Sequence, residues 1–147
     1  MTLLPIRNQN TLASCSSQSD APTIWLVEDE PQWQQAFKLL LGLAFNQPHI
    51  LVANSAEKTQ DWLLKSAKQF HVEWPDLVLM DWQLANGGNG LRLADSWVEL
   101  GLPADRIIIV SGSDDLPEHP YGAVSKVNAG TLLIPTMLER LQCFKTL

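Results

Sequence analysis

Short apolar runs alternate with longer amphipathic stretches from Thr23 onward. Each run is continuously apolar rather than alternating, which is typical of strands covered on both faces by helices. Such alternation indicates βα units built on a parallel sheet, so we predict an α/β fold with five parallel strands. The predicted strands cover residues 23–27, 50–53, 77–80, 107–110 and, more weakly, 122–125.

Four of the stretches around these strands have apolar residues at helical spacing. Pro31 stands where a first helical turn tolerates a missing N–H group, and Ser55 is placed as an N-cap. Gly101 follows the third helical stretch as a terminator. The predicted helices cover residues 31–45, 55–70, 91–100 and 131–144.

The connection between the fourth and fifth strands is unusually short. Only the ten residues 112–121 separate them, and these include Pro117 and Pro120. A helical crossover between parallel strands needs about 10 to 12 residues at minimum. We therefore predict a fourth helix that is short or absent, with at most one helical turn at residues 114–118.

Length and composition indicate one compact domain preceded by a tail. The 147 residues suit a single domain, with 46% hydrophobic and 18% charged residues. Residues 8–22 are rich in Ser, Gln, Asn and Thr without a helical or strand period. We predict a flexible N-terminal tail at residues 1–22 and a domain at residues 23–147.

Charge and cysteine content argue against several classes of function. The net charge is −6 and Lys and Arg form no cluster, so the basic footprint of a nucleic-acid-binding protein is missing. Cys15 and Cys143 are far apart with no CxxC spacing, which indicates two reduced thiols. We find neither a secretory signal nor a run of 18 apolar residues, so we predict a cytoplasmic protein.

Reactive side chains follow four of the five predicted strands. Glu28 and Asp29 come after the first strand, Asp81 after the third, Ser111 after the fourth, and Lys126 just after the fifth. Each alone has an ordinary structural explanation as a helix-end charge or a loop residue. Because function collects at the carboxyl ends of parallel strands, their joint placement indicates a common site.

Four segments of the chain resemble the response-regulator receiver family over residues 23 to about 144. These segments are Ile-Trp-Leu-Val-Glu-Asp-Glu at 24–30, Asp-Leu-Val-Leu-Met-Asp-Trp at 76–82, Ile-Ile-Ile-Val-Ser-Gly at 107–112, and Ser-Lys at 125–126. The resemblance implies a flavodoxin-like doubly wound sheet of strand order 2-1-3-4-5. It also implies an aspartate that accepts a phosphoryl group.

The acidic residues predict a divalent cation. Glu28, Asp29 and Asp81 would repel one another, and Mg²⁺ prefers a few carboxylates together with a carbonyl and waters. By resemblance, Asp29 and Asp81 coordinate the ion directly and Glu28 does so directly or through water. The backbone carbonyl of Gln83 completes the protein's share.

The resemblance also implies roles for the remaining residues. Asp81 accepts the phosphoryl group from a histidine kinase or a histidine phosphotransfer protein, and Lys126 and Ser111 contact its oxygens. Gln83 and Ser113 flank the water that hydrolyses the acyl phosphate. The added charge shifts a loop equilibrium and signals to an unidentified downstream protein, so we expect a phospho-acceptor rather than an enzyme.

The chain departs from the family at positions that govern output. Ala123 replaces the usual aromatic residue three positions before Lys126, and Val127 replaces the usual proline after it. Tyr121 could act as a substitute switch or could simply pack in the core. The segment 83–90 lacks the usual proline and is rich in glycine, which predicts a mobile loop.

Three classes of function remain open on the sequence. The first is a stand-alone receiver, expected because the chain ends at Leu147 soon after the last helix. The second is a degenerate receiver that binds partners without phosphorylation. The third, a flavin carrier or an aspartyl phosphohydrolase, fits poorly: the acids at 28–30 would repel a flavin phosphate, and Gln83 is not the second acid a hydrolase needs.

The six tryptophans are expected to lie mostly in the core. Trp82 is the exception, because it directly follows Asp81. We expect its fluorescence to respond to metal or phosphoryl binding.

Overall fold

The computed structural model describes residues 21–68 and 71–141. Nearly all of the predicted tail, both cysteines and the end of the last predicted helix lie outside these ranges. The strands are β1 (Thr23–Val27), β2 (His49–Ala53), β3 (Ala67–Lys68), β4 (His71–Val72), β5 (Leu77–Asp81), β6 (Ile107–Ser111) and β7 (Gly122–Ser125). The helices are α1 (Pro31–Ala44), α2 (Thr59–Ser66), α3 (Gly90–Leu100) and α4 (Ala129–Arg140).

Five of the strands form one parallel sheet in the order β2-β1-β5-β6-β7. Counted along the chain, this is the predicted flavodoxin-like order 2-1-3-4-5, and the five predicted strands are confirmed within a residue at each end. The strand order reverses beside β1, so a crevice is expected at the carboxyl ends of β1 and β5. None of the helices within the described ranges is long and apolar enough to cross a membrane.

The first face of the sheet packs against α1 and α4. Side chains alternate along a strand, so Ile24 and Leu26 of β1 point to this face. The largest buried helical side chains of this cluster are Phe37, Leu41, Leu133 and Met137.

The second face holds a cluster of tryptophans beneath α2 and α3. The ring centroid of Trp25 lies 5.0 Å from that of Trp62, 5.5 Å from that of Trp97 and 6.0 Å from that of Trp74. The expectation that most tryptophans lie in the core therefore holds for these four. Large aromatic surfaces at these separations stabilise a core beyond their buried area.

Helix α2 is much shorter than the predicted helix at residues 55–70. The hydroxyl of Ser55 accepts a hydrogen bond from the Lys58 backbone at 3.3 Å, but this bond closes a turn that precedes the helix. After the helix, β3 and β4 pair as a short antiparallel hairpin. The hairpin returns the chain to the sheet, where Trp74 packs on Trp25, and a helical period cannot reveal that tertiary contact.

The connection between β6 and β7 contains no helix. All ten residues 112–121 are described, and none of them is helical. The absence of a helix confirms the prediction from length, which allowed at most one helical turn at residues 114–118. Instead, the Ser113 hydroxyl accepts a hydrogen bond from the Asp115 backbone at 3.1 Å, a local alternative to a helical turn.

The loop that follows β5 is closed by backbone hydrogen bonds. The amide of Leu84 donates to the carbonyl of Gly88 at 2.9 Å, and the amide of Gly90 donates to the carbonyl of Trp82 at 2.6 Å. Asn86 has a positive φ of 60°, which asparagine tolerates better than most residues. The glycine content predicts a mobile loop, but it does not predict this internal bonding.

Gly90 lies where helix α3 meets the end of β5. A Cβ atom at this position would lie 1.9 Å from the carbonyl oxygen of Asp81 and 2.8 Å from Cγ of Met80. Only a residue without a side chain allows this approach. The close contact links the start of α3 directly to the main chain of Asp81.

We predict that Gly90→Ala destabilises the protein by about 1–3 kcal/mol, because the added methyl group forces apart two packed backbones. Gly130→Ala is the matched control: a Cβ atom at this position in α4 would have no neighbour within 4 Å, so alanine should be neutral or stabilise by up to about 1 kcal/mol. Urea denaturation of both variants tests this. Equal stabilities would contradict the close approach.

Candidate functional site

The sheet brings three of the predicted site residues into direct contact. Glu28 follows β1, Asp81 ends β5 and Lys126 follows β7. The Lys126 ammonium lies 3.0 Å from Glu28 Oε1 and 3.3 Å from Asp81 Oδ2. All three residues are buried, although 98 positions of sequence separate Glu28 from Lys126. Parallel strands ending at one edge place them together.

Two residues that sequence reasoning did not assign to the site also contact Lys126. Oε1 of Glu30 lies 3.5 Å from the ammonium, and the ring centroid of Trp33 lies 5.5 Å from it. Glu30 directly follows the acidic pair, which was a signal for a third acid nearby. The period of α1 indicated Trp33 as a core residue and did not distinguish packing on apolar neighbours from packing on a cation.

Burial and charge crowding shift the acid equilibria of the site. Burial, and then the charge of Glu28, raise the pKa of Asp81 to about 8, although Lys126 lowers it. Burial also raises the pKa of Glu28, against the opposing hydrogen bond from Lys126. For Lys126, burial lowers the pKa, but the hydrogen bond to Glu28 and the charge of Asp81 outweigh it, so the pKa is raised. One ammonium does not fully compensate the carboxylates.

The carboxylates fit a hard divalent cation such as Mg²⁺. Glu28, Asp29 and Asp81 each offer a carboxylate oxygen, and these oxygens lie within 4.8 Å of one another. Oδ1 of Asp29 and Oε1 of Glu28 are buried without a hydrogen-bond partner among the described residues, although the latter is paired in charge with Lys126. Buried carboxylate oxygens normally have donors or a metal, so these two fit metal ligands.

Gln83 lies two residues beyond Asp81, and its backbone pairs with Asn89 in an isolated antiparallel bridge. This bridge belongs to the closed loop after β5. The side chain of Gln83 is exposed. The role of the Gln83 backbone carbonyl as a metal ligand stays a prediction.

Ser111 is buried at the end of β6, but its hydroxyl is engaged in a local turn. The hydroxyl donates to the carbonyl of Ser113 at 2.9 Å and accepts from the amide of Ser113 at 3.0 Å. A new acceptor near Asp81 would therefore compete with the Ser113 carbonyl for this proton. Ser111 is at the predicted edge of the sheet, but its described hydrogen bonds do not join it to Asp81 or Lys126.

Tyr121 lies just before β7 and packs against helix α3. Its hydroxyl donates to Oδ1 of Asp95, and its ring stacks on His119 with centroids 5.8 Å apart. Burial, and then the hydrogen bond to Asp95, raise the pKa of Tyr121. Ala123, at the position of the usual switch residue, is exposed in β7. These contacts agree with a packing role for Tyr121 in this conformation.

Comparison with known proteins identifies the fold. No protein-family model and no curated protein matches the sequence. Among solved structures, the BeF₃-activated receiver domain of RstA from Klebsiella pneumoniae is 20% identical, with a TM-score of 0.64 over 82% of this chain and 98% of that one. The N-terminal domain of a response regulator/sensory box/GGDEF protein from Carboxydothermus hydrogenoformans is 20% identical, with a TM-score of 0.65 over 82% and 94%.

A third similar structure is the phosphorylated cyanobacterial phytochrome response regulator RcpA. It is 16% identical to this chain, with a TM-score of 0.62 over 86% of this chain and 98% of that one. At these identities the likeness shows the fold. The chain thus has the fold of response-regulator receiver domains.

We predict that metal-free protein loses stability as the pH rises from about 4 to about 8. The native Asp81 carboxyl keeps its proton up to about pH 8, whereas an unfolded aspartate releases it near 3.8. The native state therefore binds more protons in this interval, and its advantage falls with rising pH. Asp81→Asn should lessen this fall in stability, because the asparagine amide does not release a proton in this pH range.

Urea denaturation in EDTA at several pH values between 5 and 8.5 measures this effect. The stability of Asp81→Asn relative to wild type should increase steadily toward alkaline pH. Parallel stability profiles for the two proteins would contradict the raised pKa.

Proposed function

We propose that this chain is the receiver of a two-component phosphorelay, in which Asp81 accepts a phosphoryl group from a histidine kinase or a histidine phosphotransfer protein. The main support is the buried Lys126 ammonium shared by Glu28 and Asp81, beside carboxylate oxygens that lack hydrogen-bond donors. A purely structural ion pair would not require this excess of buried acidic groups over basic ones.

In this proposal, Glu28, Asp29, Asp81 and the backbone carbonyl of Gln83 hold Mg²⁺. The donor set agrees with this ion, because it consists of oxygen ligands within a small space. When bound, Mg²⁺ would neutralise carboxylate charge and the charge of phosphoryl oxygens. It would also favour the ionised form of Asp81 at neutral pH.

The transfer step begins with a carboxylate oxygen of Asp81. That oxygen attacks the phosphorus of phosphohistidine, a P–O bond forms, and the P–N bond breaks. The electron pair of the broken bond stays on the imidazole nitrogen. The product is an acyl phosphate on Asp81, and Lys126 is placed to donate a hydrogen bond to one of its oxygens.

Hydrolysis returns the site to its first state. A water between Gln83 and Ser113 attacks the phosphorus, the P–O bond to Asp81 breaks, and the carboxylate and inorganic phosphate are released. Gln83 lies two residues after Asp81, and Ser113 lies two residues after Ser111. We assign both residues to the water because of these positions. Their side chains would then set the lifetime of the acyl phosphate.

The signal in this proposal is a rearrangement of the loop at residues 112–121. Phosphorylation adds roughly −1.5 to −2 charges next to Ser111 and Lys126. If the Ser111 hydroxyl donates to a phosphoryl oxygen, it gives up the carbonyl of Ser113 and loosens the turn it now closes. A downstream protein that contacts this loop would detect the change.

The alternative is an interaction module that works without phosphorylation. Three observations favour it: residues 112–121 form no helix, the Ser111 hydroxyl is engaged with Ser113, and Tyr121 is bonded to Asp95. The first removes a helix from the surface through which phosphorylation would act, and the other two restrain side chains on that surface. The buried acidic site opposes it, because a passive module has no need of such a site.

We predict that incubation with acetyl phosphate and Mg²⁺ adds the mass of one phosphoryl group to the wild-type protein and none to Asp81→Asn. Intact-mass spectrometry measures this. Asp61→Asn, which removes an exposed acid of α2, is the control and should gain the group as the wild type does. A wild type that gains no mass with acetyl phosphate or with a panel of phosphorylated histidine kinases would favour the alternative.

We also predict that Mg²⁺ changes the tryptophan fluorescence through Trp82, which follows Asp81 and is partly buried. Trp82→Phe should lose most of the change.

Asp29→Asn should weaken the binding of Mg²⁺ by about tenfold or more, since even changes to outer-shell groups at metal sites cost that much. Titration of both variants with MgCl₂ tests this, and an unaltered midpoint for Asp29→Asn would remove Asp29 from the metal site.

A further inference from the structure

Glu30 holds the Lys126 ammonium from the solvent side of the site. Its Oε1 lies 3.5 Å from Nζ, while its Oε2 accepts a hydrogen bond from Nε2 of Gln32 at 3.2 Å. The amide of Glu30 donates to Oε2 of Glu28 at 3.1 Å, which fixes the main chain at this point. These two hydrogen bonds orient Glu30, although its side chain is 48% exposed.

The three hydrogen-bonding positions of the ammonium are all used. An ammonium has three N–H donors, and they face carboxylates of Glu28, Asp81 and Glu30 at 3.2, 3.3 and 3.5 Å. A phosphoryl oxygen that approaches Lys126 must replace one of these partners. Glu28 and Asp81 are buried, whereas Glu30 can return to water at little cost.

The indole of Trp33 restricts where the ammonium can go. Its ring lies 5.5 Å from Nζ and is stacked on Phe37, with centroids 5.7 Å apart. Cations are attracted to the face of an indole, so Trp33 keeps Lys126 at the site. Lys126 therefore exchanges partners rather than leaving.

We propose that Glu30 is an internal anionic competitor, which occupies the position on Lys126 that a phosphoryl oxygen takes and so limits phosphorylation. It is a positioning residue, since it acts through Lys126. This inference rests on the proposed function and adds a residue that regulates phosphorylation. Glu30 would retard every anionic donor, and a donor must displace it to react.

The first test compares Glu30→Gln with wild type in saturating Mg²⁺. An exposed ion pair at this distance is a weak competitor, so we expect a change of about two- to fivefold. Affinity for beryllium fluoride, an analogue of a phosphoryl group, and the rate of phosphorylation by acetyl phosphate should both rise by this factor. Tryptophan fluorescence and intact mass supply the two measurements.

The matched control is Glu57→Gln, which removes the same charge from an exposed residue of a surface cleft. Glu57 lines this cleft together with Asp29, and it is not among the ion-pair partners of Lys126 within the described residues. A general effect of net charge on an anionic donor would appear in both variants. Competition for Lys126 predicts the larger change for Glu30→Gln alone.

Glu30→Asp separates contact from charge. Glu30 is the N-cap of α1 and its side chain makes no capping hydrogen bond. An aspartate there is one methylene shorter and is a preferred N-cap, so it should turn toward the helix amides and away from Lys126. It should then behave like Glu30→Gln although it keeps the charge.

The outcomes are distinct. Faster phosphorylation by both Glu30 variants, with little change in Glu57→Gln, supports the competitor. Equal effects of Glu30→Gln and Glu57→Gln, or wild-type rates for Glu30→Asp, would overturn it while leaving the proposed function intact. If the wild type neither binds beryllium fluoride nor accepts a phosphoryl group, the proposed function fails and this inference fails with it.

Discussion

Repulsion between carboxylates at the carboxyl edge of the sheet is the constraint on which the site depends. Glu28 and Asp81 are buried side by side, and the Lys126 ammonium lies between them. Removing these charges from water costs more than one cation restores, and the raised pKa of Asp81 expresses that imbalance. The two buried oxygens without hydrogen-bond donors fit the ligands of the cation that we propose.

The scaffold keeps this unfavourable arrangement in place through packing elsewhere. The tryptophan cluster packs on one face of the sheet, and apolar residues of α1 and α4 pack on the other. No acidic residue belongs to either cluster. Gly90 brings α3 against the main chain of Asp81, so the backbone of Asp81 has little freedom to relax. Crowded carboxylates can persist at one edge because the apolar packing on both faces of the sheet is made by other residues.

The connection between β6 and β7 is where the chain departs most from the receiver family that its sequence resembles. Without a helix in residues 112–121, the surface between β6 and β7 consists of loop, and Tyr121 joins it to α3 through Asp95. On the opposite side of the site, Glu30 and Trp33 both lie against Lys126 itself. In the proposed function, acceptance of a phosphoryl group and its transmission would therefore be governed by different residues.

The sequence alone determined the class of fold, the strand order by resemblance and the missing fourth helix. It also predicted that Glu28, Asp81 and Lys126 lie together at one edge of the sheet. Apart from the strand order, these follow from local signals: continuous apolar runs, a loop too short for a helix, and charges at strand ends. The length of α2, the hairpin after it and the Ser111 turn depended on the tertiary structure, since each is set by contacts between distant or competing partners. The same reason explains why Glu30 and Trp33 were missed. A pattern along the chain shows which residues end a strand, but only the folded sheet decides which of them reach the same ammonium.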